Sequence, residues 1–188
     1  MQKGKRMGRV LRHLASLLAL CLPVGVLSAQ GEPLEQPALQ FDQSPRPSVT
    51  RDTLPPPIQE LLPTRAIYAA GGGLTSSAWR IVIDLDEDTI FLGRSEADNA
   101  STVGEMDREY SGAIPPTDLA VLIALADVTW REGYELPEDI IADYDEIIVL
   151  VDGDDAIMLE GFGPFRAPSA AFDLVEGLRA AASARWPE

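Results

Sequence analysis

Three of the side chains on which enzyme chemistry most often depends are almost missing from this sequence of 188 residues. There is one histidine, His13, one cysteine, Cys21, and lysine occurs only as Lys3 and Lys5. Beyond Cys21 the chain therefore has no imidazole, thiol or primary side-chain amine. Ser-His-Asp and Cys-His nucleophile systems cannot be built there, nor can zinc sites that need imidazole or thiolate. A Ser-Lys dyad, a Schiff base and the phosphate-binding lysine of a P-loop disappear with the lysines. A lone cysteine forms no internal disulfide, so stability has to come from burial. Positive charge is scarce as well: 15 Lys and Arg face 30 Asp and Glu, a formal net charge of −15. Nucleic acids and anionic membrane surfaces both demand a basic face and are excluded as expected partners.

What basic character exists is concentrated at the start. Lys3, Lys5, Arg6, Arg9 and Arg12 precede any acidic residue, and an apolar run over residues 14–27 follows, broken only by Ser16, Pro23 and Gly25. That is the layout of a signal peptide. The run falls short of the about 20 apolar residues of a membrane-spanning helix, and Pro23 interrupts it. Ser28-Ala29-Gln30 supplies a small-residue cleavage context, so the expected cut lies between Ala29 and Gln30, with export to the periplasm or beyond. Leu18-Ala19-Leu20-Cys21 is similar to a lipoprotein cleavage box, although Leu20 is large where a small residue is wanted and apolar residues continue to Leu27. A lipid anchor through Cys21 is the alternative. Cleavage after Ala29 removes five of the 15 basic residues and none of the acidic ones, leaving 10 against 30 and a formal charge of −20. A charge of that size points to a soluble monomer with no transmembrane segment after signal removal, and it names no partner.

Residues 30–63 are rich in Pro, Gln and Glu, with Pro33, Pro37, Pro45, Pro47 and the triplet Pro55-Pro56-Pro57. Polyproline-like backbone is extended and solvated, so this segment reads as a linker with a short helical turn at 58–62. Residues 64–188 then form one domain. Arg65 to Ala70 reads as a strand ended by Gly71-Gly72-Gly73. Trp79, Ile81, Ile83 and Leu85 alternate on one face, and the acidic turn Asp86-Glu87-Asp88 leads to a strand over 89–92. Residues 93–112 are polar and glycine-punctuated, a long loop. Pro115-Pro116 opens a helix whose Leu119, Leu122, Ile123, Ala126 and Trp130 form one apolar stripe, closed by Gly133. A second hairpin runs over 146–160 through the turn Asp152-Gly153-Asp154-Asp155. A last helix over 169–185 turns Phe172, Val175, Leu178 and Ala182 inward. The order βββαββα predicts an α+β domain: an antiparallel sheet of about five strands with two helices on one face.

Carboxylates are the remaining chemistry, and they present no obvious pair. The clusters Asp84-Asp86-Glu87-Asp88 and Asp152-Asp154-Asp155 join strands, so turn chemistry accounts for them, and neither has the spacing of a calcium loop. Gly71-Gly72-Gly73 lacks the Lys and Ser/Thr that a phosphate loop places after it. Asn99-Ala100-Ser101 matches the glycosylation triplet, which matters only in a eukaryotic secretory pathway. Trp79 and Trp130 fall on apolar faces and Trp186 on the terminus, so core packing is favoured over a carbohydrate platform. The expectation is therefore no catalytic residue, no metal site and no cofactor.

The run Tyr68-Ala69-Ala70-Gly71-Gly72-Gly73, the hairpin from Trp79, the helix start Pro115-Pro116-Thr117-Asp118-Leu119, the hairpin ending near Glu160 and the helix after Pro168 resemble small exported bacterial domains of unknown function. The same layout is similar to emfourin, a proteinaceous inhibitor of thermolysin-like metalloproteases, and covers residues 64–184. The lack of the usual catalytic residues, together with a linker that lets a compact domain search for a partner, points to a non-enzymatic binding module with a protein partner, and the resemblance implies protease inhibition as its sharpest form. A carboxylate-only hydrolase, or an envelope lipoprotein with a structural role, is the competing expectation.

Overall fold

Period-two alternation builds most of the sheet, and strands that are buried on both faces form its centre. The computed structural model describes residues 49–73, 76–97, 100–134, 145–162 and 164–186. Cys21, Ala29, Gln30 and Asn99, with the expected cleavage and anchoring events, lie outside the described residues. Seven strands, β1 (Val49–Thr50), β2 (Arg65–Gly73), β3 (Ser76–Asp84), β4 (Thr89–Ser95), β5 (Arg108–Ala113), β6 (Asp145–Asp152) and β7 (Asp155–Phe162), form one sheet in the order β1-β7-β6-β2-β3-β4-β5. Every neighbouring pair is antiparallel. The helices are α1 (Pro56–Gln59), α2 (Pro116–Glu132) and α3 (Ala170–Ser183).

The fold is thus α+β with an antiparallel sheet, but it has seven strands where about five were expected and a third, short helix. The added strands are the two edges. β1 is two residues long, and β5 alternates exposed and half-buried residues without the apolar period that marks a core strand. Gly71-Gly72-Gly73 does not end β2 but continues it, with a register irregularity between Gly71 and Gly73. In the second hairpin, Gly153 adopts the positive φ of 66° that the Asp-Gly turn called for.

One face of the sheet presents Ile67, Ile81, Ile83, Ile90, Leu92, Ile148 and Leu150 to α2 and α3, which contribute Leu119, Leu122, Ala126, Leu174, Val175 and Leu178. The α3 stripe centres on Leu174 and Leu178, while Phe172 and Ala182 are only half-buried at its margins. Ser169 caps α3 by accepting a hydrogen bond from the Phe172 amide at 3.1 Å.

The opposite face differs most from expectation, because residues 49–63 cover it. Val49 pairs with Ala156, and Leu54, Ile58 and Leu62 are buried against Ala66, Tyr68, Val82, Val149 and Val151. Arg51 secures this strap: its amide donates to the Asp154 carbonyl at 3.0 Å and its guanidinium donates to the Pro63 carbonyl at 2.6 Å and to the Leu62 carbonyl. A linker reading weighs the proline content and misses the apolar residues at 54, 58 and 62, four apart, which give one side of the strap a stripe to bury. The prolines between them reduce the entropy lost on ordering. On the same face Arg80, 4% exposed, anchors loop 96–107 by donating to the carbonyls of Thr102 and Gly104, each at 3.1 Å. Burial pushes the neighbouring Tyr68 phenol up to about 12 against the pull of the Arg80 charge; Thr102 also weighs on it, without meeting the geometry of a hydrogen bond.

Candidate binding groove

A groove of about 450 Å³ opens where the ends of β3 and β4 meet the C-terminal part of α3. Small-molecule and side-chain recognition sites occupy roughly 300–1,000 Å³. Strand register explains its lining. Trp79 and Ile81 of β3 stand on the helix face, directly opposite Arg94 and Leu92 of β4. Opposite Trp79 on the other side is Gly71 of β2. A Cβ at Gly71 would lie 2.7 Å from Trp79 Nε1, so the absence of that atom lets the indole lie against the β2 backbone. Trp186, just beyond α3, closes the far wall, its amide donating to the Ala182 carbonyl at 3.0 Å.

Guanidinium groups hold both indoles. Arg179 of α3 stands over the Trp79 ring at 4.9 Å, and Arg108 of β5 over the Trp186 ring at 5.4 Å. Each contact combines charge–quadrupole attraction with the packing of a flat cation on a flat ring. The Trp186 Nε1 donor is buried with no hydrogen-bond partner among the described residues. Arg94, at the rim, is paired with Glu96 at 3.0 Å, both side chains about half exposed, so this pair adds little stability and leaves the rim adaptable.

Behind the groove sits Glu146, 1% exposed, on the helix face of β6. One of its carboxylate oxygens accepts from the Phe165 amide at 2.7 Å and the other from Arg179, which also reaches Glu176 at 3.1 Å. Burial raises the Glu146 carboxyl above its ordinary value; the Phe165 amide and the Arg179 charge pull the other way, and Glu176 adds to the rise. A raised carboxyl is what a general acid needs, but both oxygens here are engaged in structure. Glu146 thus orients Arg179 on Trp79. The described carboxylate beside it, Glu176, is paired with the same Arg179 at 3.1 Å and so is not a free second member of a hydrolytic pair.

The acidic clusters singled out in the sequence meet at one end of the sheet. Arg65 bridges them, with Asp152 at 3.1 Å and Asp86 at 3.4 Å, while Asp84 accepts from the Asp86 and Glu87 amides at 2.9 and 3.1 Å. Among the described residues no three His, Cys, Asp or Glu side chains converge as metal ligands would. Trp79 and Trp186 come together in the groove, both half-buried; Trp130 packs against the helix-side core. Sequence reasoning did not single out Glu146, Arg179, Arg94 or Arg108. For Glu146 a signal existed: it precedes Ile148 and Leu150 at period two, a carboxylate in line with a buried face. No protein-family model matches the chain, and no curated protein matches it.

Proposed function

We propose that this chain is an exported, non-enzymatic binding module that engages a protein partner through the groove between β3, β4 and α3. The observation that carries the reading is the groove itself: an apolar floor, two indoles fixed by guanidinium groups, and an adaptable charged rim, with the buried Glu146 behind it committed to holding Arg179. Aromatic and arginine side chains at an open concavity are the residue types that dominate protein interfaces. Protease inhibition, the form implied by the emfourin-like layout, is the first activity to test. The full chain mixed with a thermolysin-like metalloprotease should abolish peptidase activity stoichiometrically and quench tryptophan emission from Trp79 and Trp186. Arg94→Glu, at the exposed rim, should weaken both effects while leaving the melting temperature unchanged. Hydrolysis of a glycoside or peptide substrate by the chain alone, lost in Glu146→Gln, would instead make it an enzyme and overturn the reading.

A further inference from the structure

We propose that β5 is a docking edge that takes an extended, lysine- or arginine-bearing polypeptide segment as an additional strand of the sheet. The proposal rests on the binding-module reading but not on the groove or on protease inhibition. Among the described residues β5 is the last strand on its side, whereas the opposite edge, β1, is only two residues long. The Ile114 amide donates to the Asp88 carbonyl of the neighbouring strand's turn at 2.9 Å. Because amide direction alternates along a strand, the N–H and C=O groups of Gly112, Tyr110 and Arg108 also point at β4, and those of Glu109, Ser111 and Ala113 point outward. The side chains of these three outward residues are exposed. No proline interrupts the strand, which leaves a regular template for main-chain pairing.

Charge selects the occupant. Exposed Glu105 and Asp107 lead into the strand and exposed Glu87 stands in the turn at its far end, while Glu109 lies 4.0 Å from the buried Arg80 guanidinium and Asp86 is shared with Arg65. Arg108 is turned to the helix face over Trp186, and Arg94 is held by Glu96. Asp107 is kept ionised, its carboxyl lowered by the Ser95 hydroxyl and the Glu96 amide. A basic strand is therefore attracted, while a second copy of this chain, itself at −15, is repelled.

The test uses the full chain and two labelled octapeptides, one alternating lysine with valine and one alternating glutamate with valine. Fluorescence anisotropy should give binding of the lysine peptide only, weakened by salt, and amide hydrogen exchange at Ser111 and Ala113 should slow by about tenfold or more when it is bound. Ser111→Pro removes an outward donor and no bond to β4, so it should keep the melting temperature and weaken binding by about tenfold, the scale of one lost hydrogen bond. Glu105→Lys, at an exposed side chain leading into the strand, should weaken binding of the lysine peptide and keep the melting temperature. Equal binding of both peptides, binding without slowed exchange, or slowed exchange that follows chain concentration without peptide would each overturn the proposal. Loss of groove binding in Arg94→Glu is measured separately, so the two readings fail independently.

Discussion

Glu146 concentrates the consequences of single residues. Replacing it by alanine strands the buried Phe165 amide and releases Arg179 from the Trp79 ring, so Glu146→Ala should cost about 1–3 kcal/mol in urea unfolding. The pH dependence has a definite sign. Burial raises the carboxyl in the folded state, so above the ordinary glutamate range the folded chain holds a proton that the unfolded chain has lost. Stability from this group is then greatest on the acid side and falls as pH rises through the raised value. In Glu146→Gln that fall should vanish from unfolding curves measured across the window; an unchanged slope would assign it to another group. Glu146 was legible as an inward carboxylate on an alternating strand. Its partner Arg179 was not, because nothing in a helix sequence reveals that an arginine beside the apolar stripe will reach back over a strand.

At the scale of elements, α2 was legible because it buries one side of a regular period, and the two hairpins because apolar strand runs flank short acidic turns, β6 being buried on both faces. Leu122 is 2% exposed under α2, so Leu122→Ala should cost about 2–5 kcal/mol. Asp127→Ala, on the other side of the helix, loses only the exposed pair with Arg131 at 3.1 Å and should stay within about 0.5 kcal/mol. Melting curves of the two variants decide the helix orientation. The strap was hidden by its own prolines, which resemble a linker in composition while Leu54, Ile58 and Leu62 lie buried beneath them. Ile58→Ala should therefore destabilise the chain by about 2–5 kcal/mol, a loss that a solvated linker would not register. Limited proteolysis should spare the bonds between 49 and 63. β5 escaped notice for the opposite reason: an exposed edge has no apolar alternation, and Arg108, Glu109 and Gly112 read as loop.

The whole molecule carries its excess of negative charge without a disulfide to offset the repulsion. Raising sodium chloride should increase the melting temperature, because screening relieves repulsion in the compact state more than in the expanded one, and scanning calorimetry at two salt concentrations checks it. The order of strands also sets a schedule. β2 lies between β3, its neighbour in sequence, and β6, whose Asp152 pairs with Arg65 87 residues away. As the chain emerges in order from its amino end, β2 to β5 and α2 are available before β6 and β7. Until then the inner margin of β2, with Ile67 and Tyr68 at the centre of both cores, has no neighbour, and the nascent chain must be kept from pairing with other chains. The last quarter of the polypeptide, from β6 onward, is therefore what turns an aggregation-prone meander into a sheet whose central strand has a neighbour on each side.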